Sequence, residues 1–433
     1  MHSGVLVATA LTALAAAQLP VSVGQPVSGF NTGKLESIPA MLQAAVDAGE
    51  LPGVVTLVWR NGRVAQLNAV GRRDIERGLP MTPDTIFRIA SMSKPVTSAA
   101  ALMLVDEGRL RLDDPITKWM PEFARMQVLR RPDGPLDDAF ASPRVITIED
   151  LLTHRSGLSY PFTAAGPLAA ALEKAIGSEI SSRLGPDEWL KALAALPLAY
   201  APGERFHYGV STDVLGFVVA RASGMSLRDF LMSRVFTPLR MVDTDFWVPP
   251  WKRERLAPIY ARDGQRGFRR TDESTGFAGY VGSGPPAFTS GGGGLVTTAR
   301  DYLTFARMLL NGGEADGVRL LKPATVKLMV TNRLTPQQRE IPLFGLPIWR
   351  SLGYGLGVST IMNAEAYRTA GVGDGAEGAF GWPGSFGVWW QADPAADMVL
   401  LFLPQLSASL AEIQPAASTM RAFQRTAYAA LSH

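Results

Sequence analysis

Phe87-Arg88-Ile89-Ala90-Ser91-Met92-Ser93-Lys94-Pro95 leads directly into the apolar segment Val96 to Val105, and a fold can be built outward from it. Pro95 lacks an N–H and is tolerated only near a helix start, so the helix begins close to Ser91; Gly108 is its natural stop. Val96, Ala99, Ala100, Ala101, Leu102, Met103, Leu104 and Val105 leave almost no polar face, the pattern of a helix buried on all sides. On such a helix Ser91 and Lys94 share one face, with Cβ atoms about 5–6 Å apart, so the amine reaches the hydroxyl. A lysine sheltered from water loses its charge and becomes the base that a weak serine nucleophile needs, and the helix N-terminus adds a positive field for an oxyanion. An S-x-x-K pair also arises by chance in chains of this size, so its weight depends on the rest of the sequence.

With 433 residues the chain is too long for one small core and predicts two or three structural units. Hydrophobic residues at 47% and charged residues at 19% suit a globular enzyme rather than a disordered or coiled-coil protein. The net charge of +3 comes without a basic run, which argues against a nucleic-acid partner. Cysteine is absent, which removes disulfides, thiolate metal sites and a cysteine nucleophile. His2 and His433 are terminal, so a Ser-His-Asp triad would have to use His154 or His207, and no H-E-x-x-H pattern occurs. Chemistry without histidine, metal or cofactor is the expectation.

Gly4 to Ala17 followed by Gln18 resembles a secretory leader with no Lys or Arg before its apolar run. Export to the periplasm or medium is expected from it, with the cytoplasm as the alternative. No later segment has the length for stable membrane insertion. An amphipathic helix is expected over Thr32 to Leu51, ended at Gly49. A hairpin follows, Val54 to Trp59 and Val64 to Val70 flanking Asn61-Gly62. Met126 to Pro143, rich in Arg, Pro and Asp, reads as surface loop, and Thr147 to Asp150 as a capping box before a short helix carrying a structural His154. Residues from about Tyr160 to Pro202, with helical stretches Leu168 to Ile176 and Pro186 to Leu196, suggest a mobile cap that sets acyl length. Ala201 to Tyr208 runs extended into a helix from about Thr212 to Ser223, placing Tyr208 at a loop-to-helix junction. Ser290 to Leu295 lacks a P-loop Lys and Ser/Thr, so its glycines suit close backbone approach beside a pocket. Near the C-terminus, Ala379 to Trp390 and Met398 to Leu403 predict adjacent antiparallel strands, with Pro383 placing the first at a sheet edge, and Ser407 to Leu431 a final helix.

Ser91-Met92-Ser93-Lys94 opening a buried helix, Tyr208 after Pro202-Gly203-Glu204, and a Gly-containing strand near the C-terminus, in that order, resemble the serine β-lactamase and penicillin-binding superfamily. Leu151 to Leu158 and Gly291 to Asp301 look most like its class C branch, within which family VIII carboxylesterases are most similar. The resemblance covers the chain from about Thr32. It implies a β-lactamase-like α/β (α+β) fold: an antiparallel sheet flanked by helices, a mainly helical domain, and the active site between them. It divides the chain into residues 1–29 as leader and extension, 30–110 with 290–433 as a discontinuous α/β domain, and 111–289 as the helical domain with its cap. It also implies Ser91 as acylated nucleophile, Lys94 and Tyr208 as acid–base groups, the backbone N–H groups of Ser91 and Ser385 as oxyanion hole, and Trp382 and Gly384 at the substrate.

Two departures bear on substrate. Trp382-Pro383-Gly384 stands where β-lactamases carry Lys-Thr-Gly, and Tyr208-Gly209-Val210 lacks the amide side chain of class C enzymes. A substrate carboxylate would have no partner, so uncharged acyl esters are favoured over penicillins. The expected activity is therefore a serine carboxylesterase acting on short- to medium-chain small-molecule esters, with secondary β-lactamase activity. The alternatives are a β-lactamase or D-aminopeptidase-type amidase, a penicillin-binding-like protein without turnover, and an acyltransferase. Nothing in the sequence assigns an oligomeric state.

Overall fold

The computed structural model describes residues 29–177, 182, 184–264, 267–271, 281–407 and 410–432; the leader expected over Gly4 to Ala17 lies outside them. The Asn61-Gly62 pair joins β1 (Gly53–Arg60) to β2 (Arg63–Asp74), both turn residues having positive φ (48° and 80°), as a tight hairpin demands. With β3 (Leu79–Pro80), β4 (Leu352–Tyr354), β5 (Ser359–Ile361), β6 (Phe380–Gly381), β7 (Trp389–Asp393) and β8 (Met398–Leu403), they form an eight-stranded antiparallel sheet in the order β4-β5-β6-β7-β8-β1-β2-β3. β1 pairs with β8, from Val55 opposite Leu403 to Arg60 opposite Met398, so the two ends of the chain meet mid-sheet. β1 and β8 are buried along both faces, which explains their continuous apolar runs.

Each face of the sheet buries a different layer. Helices α1 (Thr32–Glu36) and α2 (Ile38–Asp47) and the terminal helix cover one face, where Ile38, Leu42, Val54, Val58, Leu400, Phe402 and Phe423 pack together. On the other face lie Val55, Leu57, Leu401 and Leu403 with α3 (Ser93–Asp106). That core continues through α4 (Ile148–Leu152), α5 (Gly166–Ile176), α6 (Pro186–Ala194), α7 (Ser211–Ser223) and α8 (Ala299–Leu310). α3 is buried from Ser93 to Leu104, as its sequence demands, and Gly108 follows its end at φ 72°.

Four expectations change. The helix over Thr32 to Leu51 is broken at Ser37, where a new helix starts at Ile38 with Pro39 in its first turn. Within Met126 to Pro143, Gln127–Leu129 and Ala139–Ala141 pair as a small hairpin: Val128 and Leu129 bury their side chains in the core, which a solvated loop would not. The Thr147 capping box is present, but its helix starts at Ile148 and ends before His154, which adopts φ 52°. The fourth concerns Pro383. β6 is not an edge strand, being flanked by β5 and β7; its ladder with β5 stops at Gly381, and Trp382 to Ser385 run on unpaired by β5.

Candidate active site

Ser91 sits in a single 3₁₀ turn, Ala90–Met92, that feeds α3. Ala90 before it has φ 42°, a conformation costing a non-glycine residue about 1 kcal/mol and held by the surrounding packing. That packing is specific, since Ile89 N–H donates to Leu295 O and Met92 N–H to Ile89 O. The Ser91 hydroxyl is thereby turned out of the buried helix toward two groups. Ser91 Oγ accepts from Lys94 Nζ at 3.1 Å and from Tyr208 Oη at 2.7 Å.

Lys94 is 1% exposed and anchored on its far side, where Nζ donates to Gly292 O at 2.7 Å. The glycine run approaches as closely as its composition suggests: a Cβ on Gly292 would lie 2.5 Å from Asp213 Oδ2 and 2.7 Å from Tyr160 Oη. Asp213, buried in α7, accepts from Ser290 Oγ and from Gly292 N–H (3.0 Å) on one oxygen and from Tyr160 Oη (3.3 Å) on the other. Burial raises its pKa, against the opposing pull of the Lys94 charge. Asp213 and Tyr160 escaped sequence reasoning; for Asp213 the available signal was an acid placed directly before the apolar run Val214 to Val219.

Tyr208 is held by its own junction. Gly209 N–H donates to His154 Nδ1 at 3.4 Å and His207 N–H to His154 O at 2.7 Å, while the His154 ring lies 4.8 Å from the Tyr208 ring. Burial, then the charges of Lys94 and His207, push the His154 pKa well below its ordinary 6.5, so the imidazole is neutral. His154 does not line the cavity at Ser91 and packs beneath the Tyr208 junction. Trp382 Nε1 points at Tyr208 Oη from 3.5 Å. A Cβ on Gly384 would come within 2.3 Å of Ile89 O, so only glycine lets this segment lie against the nucleophile turn. Gly384 N–H is taken by Val388 O.

Ser91, Tyr208, Trp382, Gly384 and Ser385 all line one cavity of about 560 Å³, the size of a small-molecule site. No Asp, Glu, Lys, Arg or His lines it among the described residues. Of the expected cap, only Tyr160 and Phe162 line it among the described residues; Leu343, Phe344, Ile348 and β6 add further wall. α5 and α6 are absent from it because Leu168, Leu172, Trp189 and Leu190 are buried in the core. Phe162 and Phe344 carried no signal in the sequence, since each lies in an irregular segment without a helical or strand period.

The Beta-lactamase family model matches residues 38–421. The chain belongs to the beta-lactamase family. Protein Rv1367c of Mycobacterium tuberculosis is 46% identical over 371 residues, covering 86% of this chain and 90% of that protein. Esterase EstB of Burkholderia gladioli is 36% identical over 283 residues, 62% of this chain and 69% of EstB. Among solved structures, EstCE1, described as a hydrolase with promiscuous acyltransferase activity, superposes with a TM-score of 0.77 at 26% identity, covering 91% of this chain and 98% of that one. The protein is a beta-lactamase-fold serine hydrolase with esterase relatives, consistent with a family VIII esterase.

Proposed function

We propose that the protein is a carboxylesterase that cleaves uncharged, short- to medium-chain acyl esters through a Ser91 acyl-enzyme. The observation that carries this is the pair of hydrogen bonds converging on Ser91 Oγ from Lys94 and Tyr208. In the proposed cycle Lys94 and Tyr208 withdraw the Ser91 proton as Oγ bonds to the ester carbon, and the backbone N–H groups of Ser91 and Ser385 hold the oxyanion. Tyr208 then protonates the departing alcohol and, in the second half, deprotonates the water that releases the acid. A cavity wall without cations supports neutral substrates, because a buried carboxylate lacking a partner is penalised. The name of EstB supports an ester. That of EstCE1 supports a second reading, transfer of the acyl group to an alcohol in place of water.

Steady-state hydrolysis of p-nitrophenyl butyrate and nitrocefin, side by side for the parent and Ser91→Ala, tests the proposal. The ester is expected to turn over far faster than the lactam, with activity lost in the variant. A preference for nitrocefin would replace the esterase with the β-lactamase alternative, and a burst without turnover would indicate a penicillin-binding-like protein.

A further inference from the structure

The direction in which the alcohol leaves is set by Tyr208. If this tyrosine protonates the leaving oxygen, that oxygen lies within about 3 Å of Oη, and the rest of the alcohol extends from there over whatever borders the Tyr208 ring. Phe344 meets that ring edge-on at 6.0 Å, and Tyr160 lies 5.5 Å from it. Phe162 stacks on Tyr160 (5.1 Å, 10° between planes) and approaches Phe344 at 6.4 Å. The four rings make one continuous shelf that starts at the catalytic hydroxyl and ends in solvent. Its outer half is incompletely covered, with Phe162 57% and Phe344 46% exposed. Single exposed apolar residues are ordinary, but these two are contiguous and both line the Ser91 cavity.

A second observation concerns the backbone. Phe344 has φ 51°, uncommon for a bulky residue, in a tight turn closed by reciprocal hydrogen bonds between Leu343 and Leu346. Strain of this kind persists where the surroundings over-determine it, and here it holds an aromatic ring at the mouth of the site.

We propose that Phe162 and Phe344 form the alcohol subsite, an aromatic shelf that selects esters of flat, apolar, ring-bearing alcohols over those of small aliphatic alcohols. This rests on the esterase assignment above. In the acylation step the Ser91 Oγ–carbonyl carbon bond forms as the Ser91 proton passes to the Lys94–Tyr208 pair, the bond from that carbon to the alcohol oxygen breaks, and the Tyr208 proton passes to the alcohol oxygen. The freed alcohol departs along the shelf. Alcohol rings that pack against Phe162 and Phe344 lower the barrier to this step and leave the acyl half of the substrate untouched.

The test compares kcat/KM for naphthalen-2-ylmethyl butanoate and ethyl butanoate in the parent, Phe162→Ala, Phe344→Ala and Phe344→Trp. Both positions are about half exposed, so the fold tolerates the substitutions. The naphthyl-to-ethyl ratio is expected to fall by about tenfold in each alanine variant and to be kept in Phe344→Trp. The octanoate-to-butanoate ratio for ethyl esters is expected to stay constant in all four proteins. An unchanged naphthyl-to-ethyl ratio overturns the subsite, and a change in the acyl-length ratio instead assigns the rings to the acyl side. Absence of Ser91-dependent turnover in the parent overturns the esterase assignment, and the subsite with it.

Discussion

Asp213 does not itself line the cavity, yet its hydrogen bonds shape the loop that holds Lys94. Its carboxylate fixes the Gly292 N–H, and the Gly292 carbonyl in turn fixes the amine beside Ser91. Asn in its place removes the buried charge and puts a donor where one carboxylate oxygen accepts, so the loop must shift. Small displacements of a reacting group carry large penalties in rate. Asp213→Asn is expected to lower kcat for p-nitrophenyl butyrate by about 10- to 100-fold with little change in KM. A matching rise in KM with kcat intact would show that Asp213 shapes the pocket rather than the lysine.

The run from Ala201 to Tyr208 acts as a strap that delivers Tyr208, and it carries a pH-sensitive joint. His207 Nε2 lies 2.7 Å from Ser159 Oγ, and burial followed by the Arg205 charge pushes its pKa down to about 4 from an ordinary 6.5. Between those values the unfolded chain holds the proton and the folded one does not. The stability tied to His207 is therefore complete above pH 6.5 and is lost as pH falls toward 4, by about 3 kcal/mol. His154, also depressed, works in the same direction. Asp301, raised to about 7 mainly by burial, works oppositely, gaining stability as pH falls from 7 toward 3.8. The difference between parent and variant isolates the histidine. In urea unfolding, the advantage of the parent over His207→Gln is expected to shrink by about 3 kcal/mol between pH 7 and pH 4. Parallel stability curves would contradict it.

At the scale of the whole molecule, the sheet separates two cores of different consequence. The face bearing α3 presents the nucleophile, whereas the face under α1, α2 and the terminal helix (Leu410–Ala429) joins the chain ends, with Asn31 N–H donating to Ala430 O. Leu42, fully buried in the second core, does not line the cavity. Leu42→Ala is expected to cost about 2–5 kcal/mol in urea unfolding while leaving kcat and KM for p-nitrophenyl butyrate within about twofold. A large kinetic effect would mean that the two faces are mechanically coupled.

Local physics in the sequence determined the Asn61-Gly62 hairpin, the buried helix after Pro95, the Gly108 stop, the Thr147 cap and the sharing of one helix face by Ser91 and Lys94. Each follows from backbone preferences or apolar spacing within a few residues. Tertiary structure decided the rest, because those features depend on distant segments meeting. β6 became an interior strand only when Ser359 and Thr360 paired with it, and the helices expected to cap the site turned their apolar faces into the core instead. Asp213 and Gly292 are 79 residues apart and become partners of each other, with Lys94 on the Gly292 carbonyl, only where α7 meets α3. Phe162 and Phe344 are two unremarkable aromatics until the fold sets them side by side on Tyr160 and Tyr208.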